Sequence, residues 1–318
     1  MTAPRLSVII PAHNSRAFLE ETLAALAAQE GAGDGAFEVI VVDDGSSDGT
    51  VEALRALRFP VPLRILQQEN RGRSGARNAG AREARSPVLL FLDADVRPAP
   101  GFVAAHLRHH TAPGPVGVQG RTLQDPRTLV TLFMKTSHMM PDLTVRRRGR
   151  LSPYHVVTRN FSVTANAFRA VGGFDEGFVG YGWEDIELGL RLRQAGVRLH
   201  YEPAALAHHM DVQTLEEARA KLRQAGEGAV YFWRKHGRPA GLGMFLEIHP
   251  LLLPLKWLVF RTGAVTRLIE AIRPWAERRR LLLVCNECYT HLLWKAYYEG
   301  VFQALREGDR GHAVPGRQ

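Results

Sequence analysis

Val88-Leu89-Leu90-Phe91-Leu92-Asp93-Ala94-Asp95-Val96 runs five apolar residues straight into two carboxylates spaced i, i+2. A short apolar run of this kind fits a strand buried on both faces. Burying an ionised carboxylate is costly unless it is paired or bound to metal. In an extended chain Asp93 and Asp95 point to the same side. Oxygen ligands so placed suit Mg2+ or Mn2+, ions that usually accompany a phosphate. The same residues also fit a strand ending in a solvated turn, where Asp is common.

Working outward, strand and helix patterns alternate. The spacing predicts a strand over 6–10 stopped by Pro11, then a helix capped by Ser15 and running to about Gln29. A strand over 37–42 follows, then a helix opened by Ser47 or Asp48. A strand over 63–66, a helix over 75–85 and the strand over 88–92 come next. Pro100 sits near the start of a helix reaching about His110. This order implies an α/β fold with a mainly parallel central sheet flanked by helices on both faces. Ligands then gather at the carboxyl ends of the strands, where Asp43 with Asp44 and Asp93 with Asp95 both fall. Further on, 161–164 and 197–201 read as short strands, and 183–194 as a helix ending at Gly196.

The chain has 318 residues, 45% hydrophobic and 23% charged, which fits one large α/β domain with an appendage or two domains. The boundaries expected are 1–237, in halves 1–120 and 121–237, and a helical region 238–318. The net charge of +9, from 41 Lys and Arg against 32 Asp and Glu, favours polyanions. No nucleic-acid motif accompanies it, so phosphorylated ligands or an anionic membrane surface are expected rather than nucleic acid. The chain enters a strand by Leu6, so no signal peptide is expected, and a cytoplasmic location follows. Cys285 and Cys288 read as two thiols on adjacent helical turns. The run Arg146-Arg147-Arg148-Gly149-Arg150, with Met139 and Met140 upstream, fits a solvated face or a basic loop over a phosphorylated ligand. In the last eighty residues Trp257, Trp275 and Trp294 are flanked by Lys and Arg. The region fits amphipathic helices on a membrane, or a tail that packs on its own domain or forms a homodimer.

Four further groups carry chemistry. Asp43 and Asp44 lead into Gly45-Ser46-Ser47-Asp48-Gly49-Thr50, and an acid there can accept hydrogen bonds from a nucleobase or a ribose. Arg71, Arg73 and Arg77 open a helix whose N–H groups suit a diphosphate. Glu184, Asp185 and Glu187 sit in a helical first turn, where acids also compensate the helix dipole. Trp183 beside them offers a flat apolar platform for a sugar, and a carboxylate held there could serve as a general base. Of the adjacent His208 and His209, only one can face a metal if the chain is extended.

Together, Ser7-Val8-Ile9-Ile10-Pro11-Ala12-His13-Asn14, Val42-Asp43-Asp44-Gly45-Ser46-Ser47-Asp48, Phe91-Leu92-Asp93-Ala94-Asp95 and Trp183-Glu184-Asp185-Ile186-Glu187 closely resemble the family 2 glycosyltransferases of the GT-A fold. The resemblance covers about residues 5–235 and includes Gly172-Gly173-Phe174-Asp175-Glu176 and Ala76-Arg77-Asn78. It implies a GT-A, Rossmann-like domain with a C-terminal helical extension. It also implies a metal-dependent, inverting transferase that moves a sugar from a nucleotide-sugar, UDP first, to an acceptor hydroxyl. A lipid-linked or cell-envelope glycan precursor fits as acceptor, with the protein peripheral on the cytoplasmic membrane face. By this resemblance Pro11, Ala12 and Asn14 line the nucleotide pocket, and Asp43 or Asp44 reads the base. Arg77, or Arg71, lies near base and phosphates. Asp95 binds Mn2+ or Mg2+, and Asp93 serves the ribose or a water on the metal. Asp185 is the base, Glu184 orients acceptor or sugar, and His209 or His208 is a downstream metal ligand. His13 departs from the family, which usually has an aromatic residue there. Two other readings are a nucleotidyltransferase and a non-catalytic basic membrane or polyanion binder with a GT-A-like shell. Pro-Ala-His-Asn after the first strand disfavours the former, which needs a glycine-rich basic loop there. The retained acids disfavour the latter.

Overall fold

The computed structural model describes residues 3–33, 35–136, 149–261 and 263–308. The Met139, Met140 and Arg146–Arg148 part of the expected basic loop lies outside them. The described strands are β1 (Leu6–Ala12), β2 (Phe37–Asp43), β3 (Leu63–Gln67), β4 (Val88–Leu92), β5 (Val96–Pro98), β6 (Val116–Gln124), β7 (Gly149–Arg150), β8 (Asn160–Thr164) and β9 (Arg198–His209). The helices are α1 (Arg16–Ala27), α2 (Thr50–Ala56), α3 (Gly72–Glu83), α4 (Phe102–Leu107), α5 (Leu132–Thr136), α6 (Ala165–Ala170), α7 (Glu184–Gln194), α8 (Leu215–Lys235), α9 (Ala240–Phe245), α10 (Leu253–Arg261), α11 (Ala264–Arg278) and α12 (Leu282–Glu307).

The strands form one sheet in the order β3-β2-β1-β4-β8-β6-β9-β5, with β7 also on β9. The half β3-β2-β1-β4 is parallel, as the repeated strand–helix alternation predicts. Beyond β4 the sheet is mixed: β8 is antiparallel to β4 and β6, whereas β6 and β9 are parallel. Both faces of the parallel half are covered, and alternate residues go to opposite cores. Val8, Ile10, Val39, Val41, Leu90 and Leu92 pack with Leu19, Leu23 and Leu26 of α1. Ile9, Ile40, Val42, Leu89 and Phe91 pack with Ala76, Phe168, Leu188 and Leu192 on the other face.

Several boundaries differ from expectation for identifiable reasons. β1 runs through Pro11 to Ala12. The bonds from Leu6 N–H to Ala36 and from Asp44 N–H to Ala12 show that even-numbered residues face β2. Pro11 therefore turns its missing N–H toward β4, where pairing has already ended at Ile9 and Phe91. Ser15 precedes α1 but does not cap it; its hydroxyl turns back to donate to His13 O. The residue before α2 is Gly49, in the left-handed conformation at φ 81° that glycine adopts without strain, and Asp48 binds Thr50 instead. The last strand is far longer than 197–201, because β9 pairs with β6 across a bulge at Gly120/Arg121 and continues to His209.

The chain divides into two compact units. The sheet unit takes the chain to Thr128, the stretch from β7 to Glu176, and Glu184–Asp211. The helical unit takes α5, Gly177–Trp183 and the chain from Val212 on. Inside the helical unit α8 and α12 cross closely at two glycines. A Cβ on Gly226 would lie 2.0 Å from Tyr297 O, and one on Gly300 would lie 1.9 Å from Arg223 O. Cys285 and Cys288 are buried free thiols on successive turns of α12. No described helix is long and apolar enough to cross a membrane.

Candidate active site

The carboxyl ends of β1, β2 and β3 are stitched together by the side chains placed there. Asp44 N–H donates to Ala12 O at 2.8 Å, so the turn after β2 lies against the end of β1, where Pro11 and Ala12 sit. Asp44 Oδ1 accepts from Gln68 Nε2 at 2.6 Å and from the Arg71 N–H at 2.9 Å. Asp43 Oδ1 accepts only the Ser46 N–H, at 3.3 Å, among its hydrogen bonds to described residues. Both acids are buried. Asn14 takes φ 50°, accepts from Ser47 N–H at 2.9 Å, and closes the loop onto Ser46. The Arg71 side chain reaches Glu176 at 2.7 Å. Asn14, Asp44 and the Arg71 backbone thus shape the loop edge, while Asp43 is the less occupied acid.

One buried guanidinium gathers three acids. Arg77 Nη2 donates to Asp93 Oδ1 at 2.7 Å, and Nη1 lies 3.5 Å from both Glu184 Oε1 and Asp185 Oδ1. Arg73 adds a second cation 3.7 Å from Glu184. Burial opposes the charge on Arg77, but the three carboxylates outweigh it and raise its pKa further. Burial likewise pushes Asp93 upward, yet the charge and hydrogen bond of Arg77, with Arg159 and Arg73, hold it below the ordinary carboxylate range. Glu184 goes the other way. Burial, then the charge of Asp185, raises it to about 6 against the pull of Arg73 and Arg77. Its Oε2 is buried and accepts no hydrogen bond from the described residues. Asp185 keeps 20% of its side chain exposed and accepts from both the N–H and the hydroxyl of Thr158.

The second acid of the Asp-Ala-Asp run belongs to another group. β4 ends at Leu92, and Val96 N–H closes a turn onto Asp93 O at 3.2 Å. Strand alternation therefore does not reach Asp95. Asp95 Oδ2 lies 3.3 Å from His209 Nε2, and ligand atoms of Asp95, His209 and Asp211 all fall within 4.8 Å of one another. Asp95 Oδ1 is buried with no hydrogen-bond partner among the described residues. Two carboxylates, an imidazole and an orphaned oxygen fit a hard or borderline divalent cation. Asp93, tied to Arg77, is not among the three. Nor is His208, which points the other way along β9 and feels the charges of Arg97, Asp125 and Arg127.

Residues 7–171 match the model of glycosyl transferase family 2, more than half of the chain. The chain belongs to that family. Residues 148–214 also match a model described as the N-terminal domain of galactosyltransferase. Two validoxylamine A glucosyltransferases of Streptomyces hygroscopicus, from subspecies limoneus and jinggangensis, are each 32% identical over 89% of this chain, which spans 66% and 71% of their lengths. This member of family 2 is a glycosyltransferase. Among solved structures, it resembles the mannosyltransferase PcManGT of Pyrobaculum calidifontis in complex with GDP-Man and Mn2+, at a TM-score of 0.62 and 20% identity over 94% of this chain and 88% of that one. S. aureus TarS 1-349 in complex with UDP-GlcNAc aligns at a TM-score of 0.53 and 17% identity over 95% and 92%. These likenesses establish the expected GT-A fold.

Three residues of this family 2 member, Asp211, Thr158 and Gln119, went unread in its sequence. Asp211 lies two residues beyond His209, and i, i+2 spacing was the available signal. Thr158 and Gln119 carry no local motif. Trp183 is held in the helical unit by its Nε1–H, which donates to Ala225 O at 2.7 Å, with its ring against Phe232 and Phe245.

Proposed function

We propose that this protein is an inverting transferase that moves a sugar from a nucleotide-sugar to an acceptor hydroxyl, with Asp185 as general base. One observation carries the reading: Asp93, Glu184 and Asp185 converge on the buried guanidinium of Arg77. Asp185 takes the acceptor proton as the new C–O bond forms, and the nucleoside diphosphate leaves from the opposite face. Arg77 keeps Asp93 ionised, able to accept from a ribose hydroxyl. Asp43 supplies an acceptor for the base, beside the wall formed by Pro11 and Ala12. Asp95, His209 and Asp211 would hold Mn2+ or Mg2+, which supplies charge neutralisation for the leaving diphosphate. Bound GDP-Man and Mn2+ in PcManGT and UDP-GlcNAc in TarS support this class of donor and metal. UDP-glucose is the first donor to test, since the two relatives are named glucosyltransferases. Asp185→Asn should keep UDP binding and lose at least about 10²-fold in transfer rate. Near-normal turnover in that variant would sink the assignment.

The acceptor in this reading is a lipid-linked or envelope glycan precursor, met at an anionic membrane. Val265, Leu268, Ile272 and Trp275 are exposed at i, i+3, i+7 and i+10 of α11, one apolar stripe. Arg278, Arg279 and Arg280 follow, exposed, and lead into exposed Leu281–Val284. Apolar side chains rimmed by arginines match an anionic bilayer surface in both polarity and sign. Vesicles of phosphatidylglycerol, but not of phosphatidylcholine alone, should pellet the protein, and Leu268→Gln with Ile272→Gln should weaken this. No pelleting, together with a dimer in light scattering that the same variant dissociates, would assign the stripe to a second copy instead.

A further inference from the structure

The four residues Val157–Asn160 form a turn whose two ends are held by a single side chain. Gln119 of β6 is buried; its Oε1 accepts from the Val157 N–H at 2.8 Å, and its Nε2 donates to Asn160 O at 3.0 Å. Asn160 N–H closes the turn on Val157 O at 3.3 Å. The approach to the turn is packed as well. A Cβ on Gly189 of α7 would lie 2.6 Å from Pro153 O, so the chain entering the turn rests directly on the helix that carries Asp185.

The middle of this turn faces two of the acids. Thr158 is fully buried. Its N–H donates to Asp185 Oδ2 at 3.1 Å, and its hydroxyl donates to Asp185 Oδ1. Two donors from one residue, one to each oxygen, fix the plane of the carboxylate. Each oxygen keeps a lone pair for another partner. The next carbonyl, Arg159 O, accepts the Asp93 N–H at 3.4 Å.

We infer that Thr158 is a positioning residue for the transfer reaction: it sets the plane of the Asp185 carboxylate, and the Gln119-clamped turn ties that setting to the backbone of Asp93. The inference rests on the reading of Asp185 as the base. A base must meet the acceptor proton at hydrogen-bond distance and in the right direction, and small misplacements at such a site cost large factors in rate. Thr158 touches neither the transferred sugar nor the proton in this account. It acts only through Asp185.

The test compares Thr158→Val, which keeps the shape and the N–H but loses the hydroxyl, with Thr158→Ser, which keeps the hydroxyl. Turnover is measured with UDP-glucose, UDP-GlcNAc and GDP-mannose in MnCl2, using thermal melting to confirm folding. Thr158→Val should lose on the order of 10- to 100-fold in kcat with an unchanged KM for the donor. Thr158→Ser should restore most of the rate. Wild-type kcat in the valine variant, a loss carried by KM, or a serine variant no better than valine would each overturn the inference. Should none of the three donors be turned over, a crystal structure of Thr158→Val decides: an Asp185 carboxylate turned from its wild-type plane supports the inference, and an unmoved one overturns it. Asp185→Asn run alongside separates the two readings. If it stays active, the base assignment itself fails. If it is inactive while Thr158→Val is normal, only the positioning role fails.

Discussion

Arg77 Nη2 lies 2.7 Å from Asp93 Oδ1, so the first acid of the Asp-Ala-Asp run is already paired with a helix side chain. The same guanidinium turns its other nitrogen to Glu184 and Asp185. Its removal leaves three acids around a space with only the more distant charges of Arg73 and Arg159 to offset them. Arg77→Met should therefore lower the unfolding free energy by roughly 3–5 kcal/mol, the usual cost of orphaning a buried charge. Arg77→Lys should fall between, because one ammonium cannot serve acids reached by two separate nitrogens. Urea titration measures both. A methionine variant within about 1 kcal/mol of wild type would show that the cluster is not held this way.

The division of labour between Asp93 and Asp95 can be read by metal binding. With UDP present, Asp95→Asn and Asp211→Asn should each weaken Mn2+ binding about 10-fold or more, while Asp93→Asn should change it little. Free Mn2+ measured by electron paramagnetic resonance gives the constants. Equal losses for Asp93 and Asp95 would mean that Asp93 leaves Arg77 to join the ion.

How much of this was legible beforehand depends on the range of each interaction. The parallel half was readable because its apolar runs are local, with neighbours such as Ile9 and Ile10 buried in opposite cores. The acids of the candidate site were readable because they end strands or begin helices. The rest depends on residues distant in sequence. The direction of β8 relative to β4 is invisible in either strand alone. Thr158 meets Asp185 across a 27-residue separation, through a turn clamped by Gln119. Asp93 and Asp95, two residues apart, join different groups because the strand stops at Leu92.

Buried histidines set the pH response. His106 is fully buried between Asn160 and Ser162, and burial first, then the charge of His109, lowers its pKa to about 4. Burial and the charges of His106, His109 and His200 lower His110 to about 3. Unfolded histidine titrates near ~6.5, so the unfolded chain binds more protons below that pH. Stability should therefore be fully present above pH ~6.5 and be lost as pH falls toward 4, by on the order of 3 kcal/mol for His106. Glu184 opposes this. Its proton is held up to about pH 6, so its contribution falls as pH rises from about 4.5 to 6. Urea unfolding between pH 4 and 7 should show a slope that flattens in His106→Gln and steepens in Glu184→Gln. An unaltered slope in His106→Gln would remove His106 as its source.

The helical unit makes a separate prediction through backbone contact. α8 and α12 approach so closely at Gly300 that an added Cβ would sit 1.9 Å from Arg223 O, a carbonyl that cannot swing aside as a side chain would. The helices must separate to admit a methyl group, and overpacking of this kind costs about 1–3 kcal/mol or more. Intrinsic helix propensity pulls the other way by up to about 1 kcal/mol, since alanine is the better helix former. The steric cost is the larger, so Gly300→Ala should lower the melting temperature. Gly241 of α9 supplies the control, because a Cβ there meets nothing within 4 Å. Gly241→Ala should leave the melting temperature unchanged or raise it. Circular dichroism melts of the two variants separate packing from propensity, and a Gly300→Ala protein that melts at or above wild type would rule out the close crossing of α8 and α12.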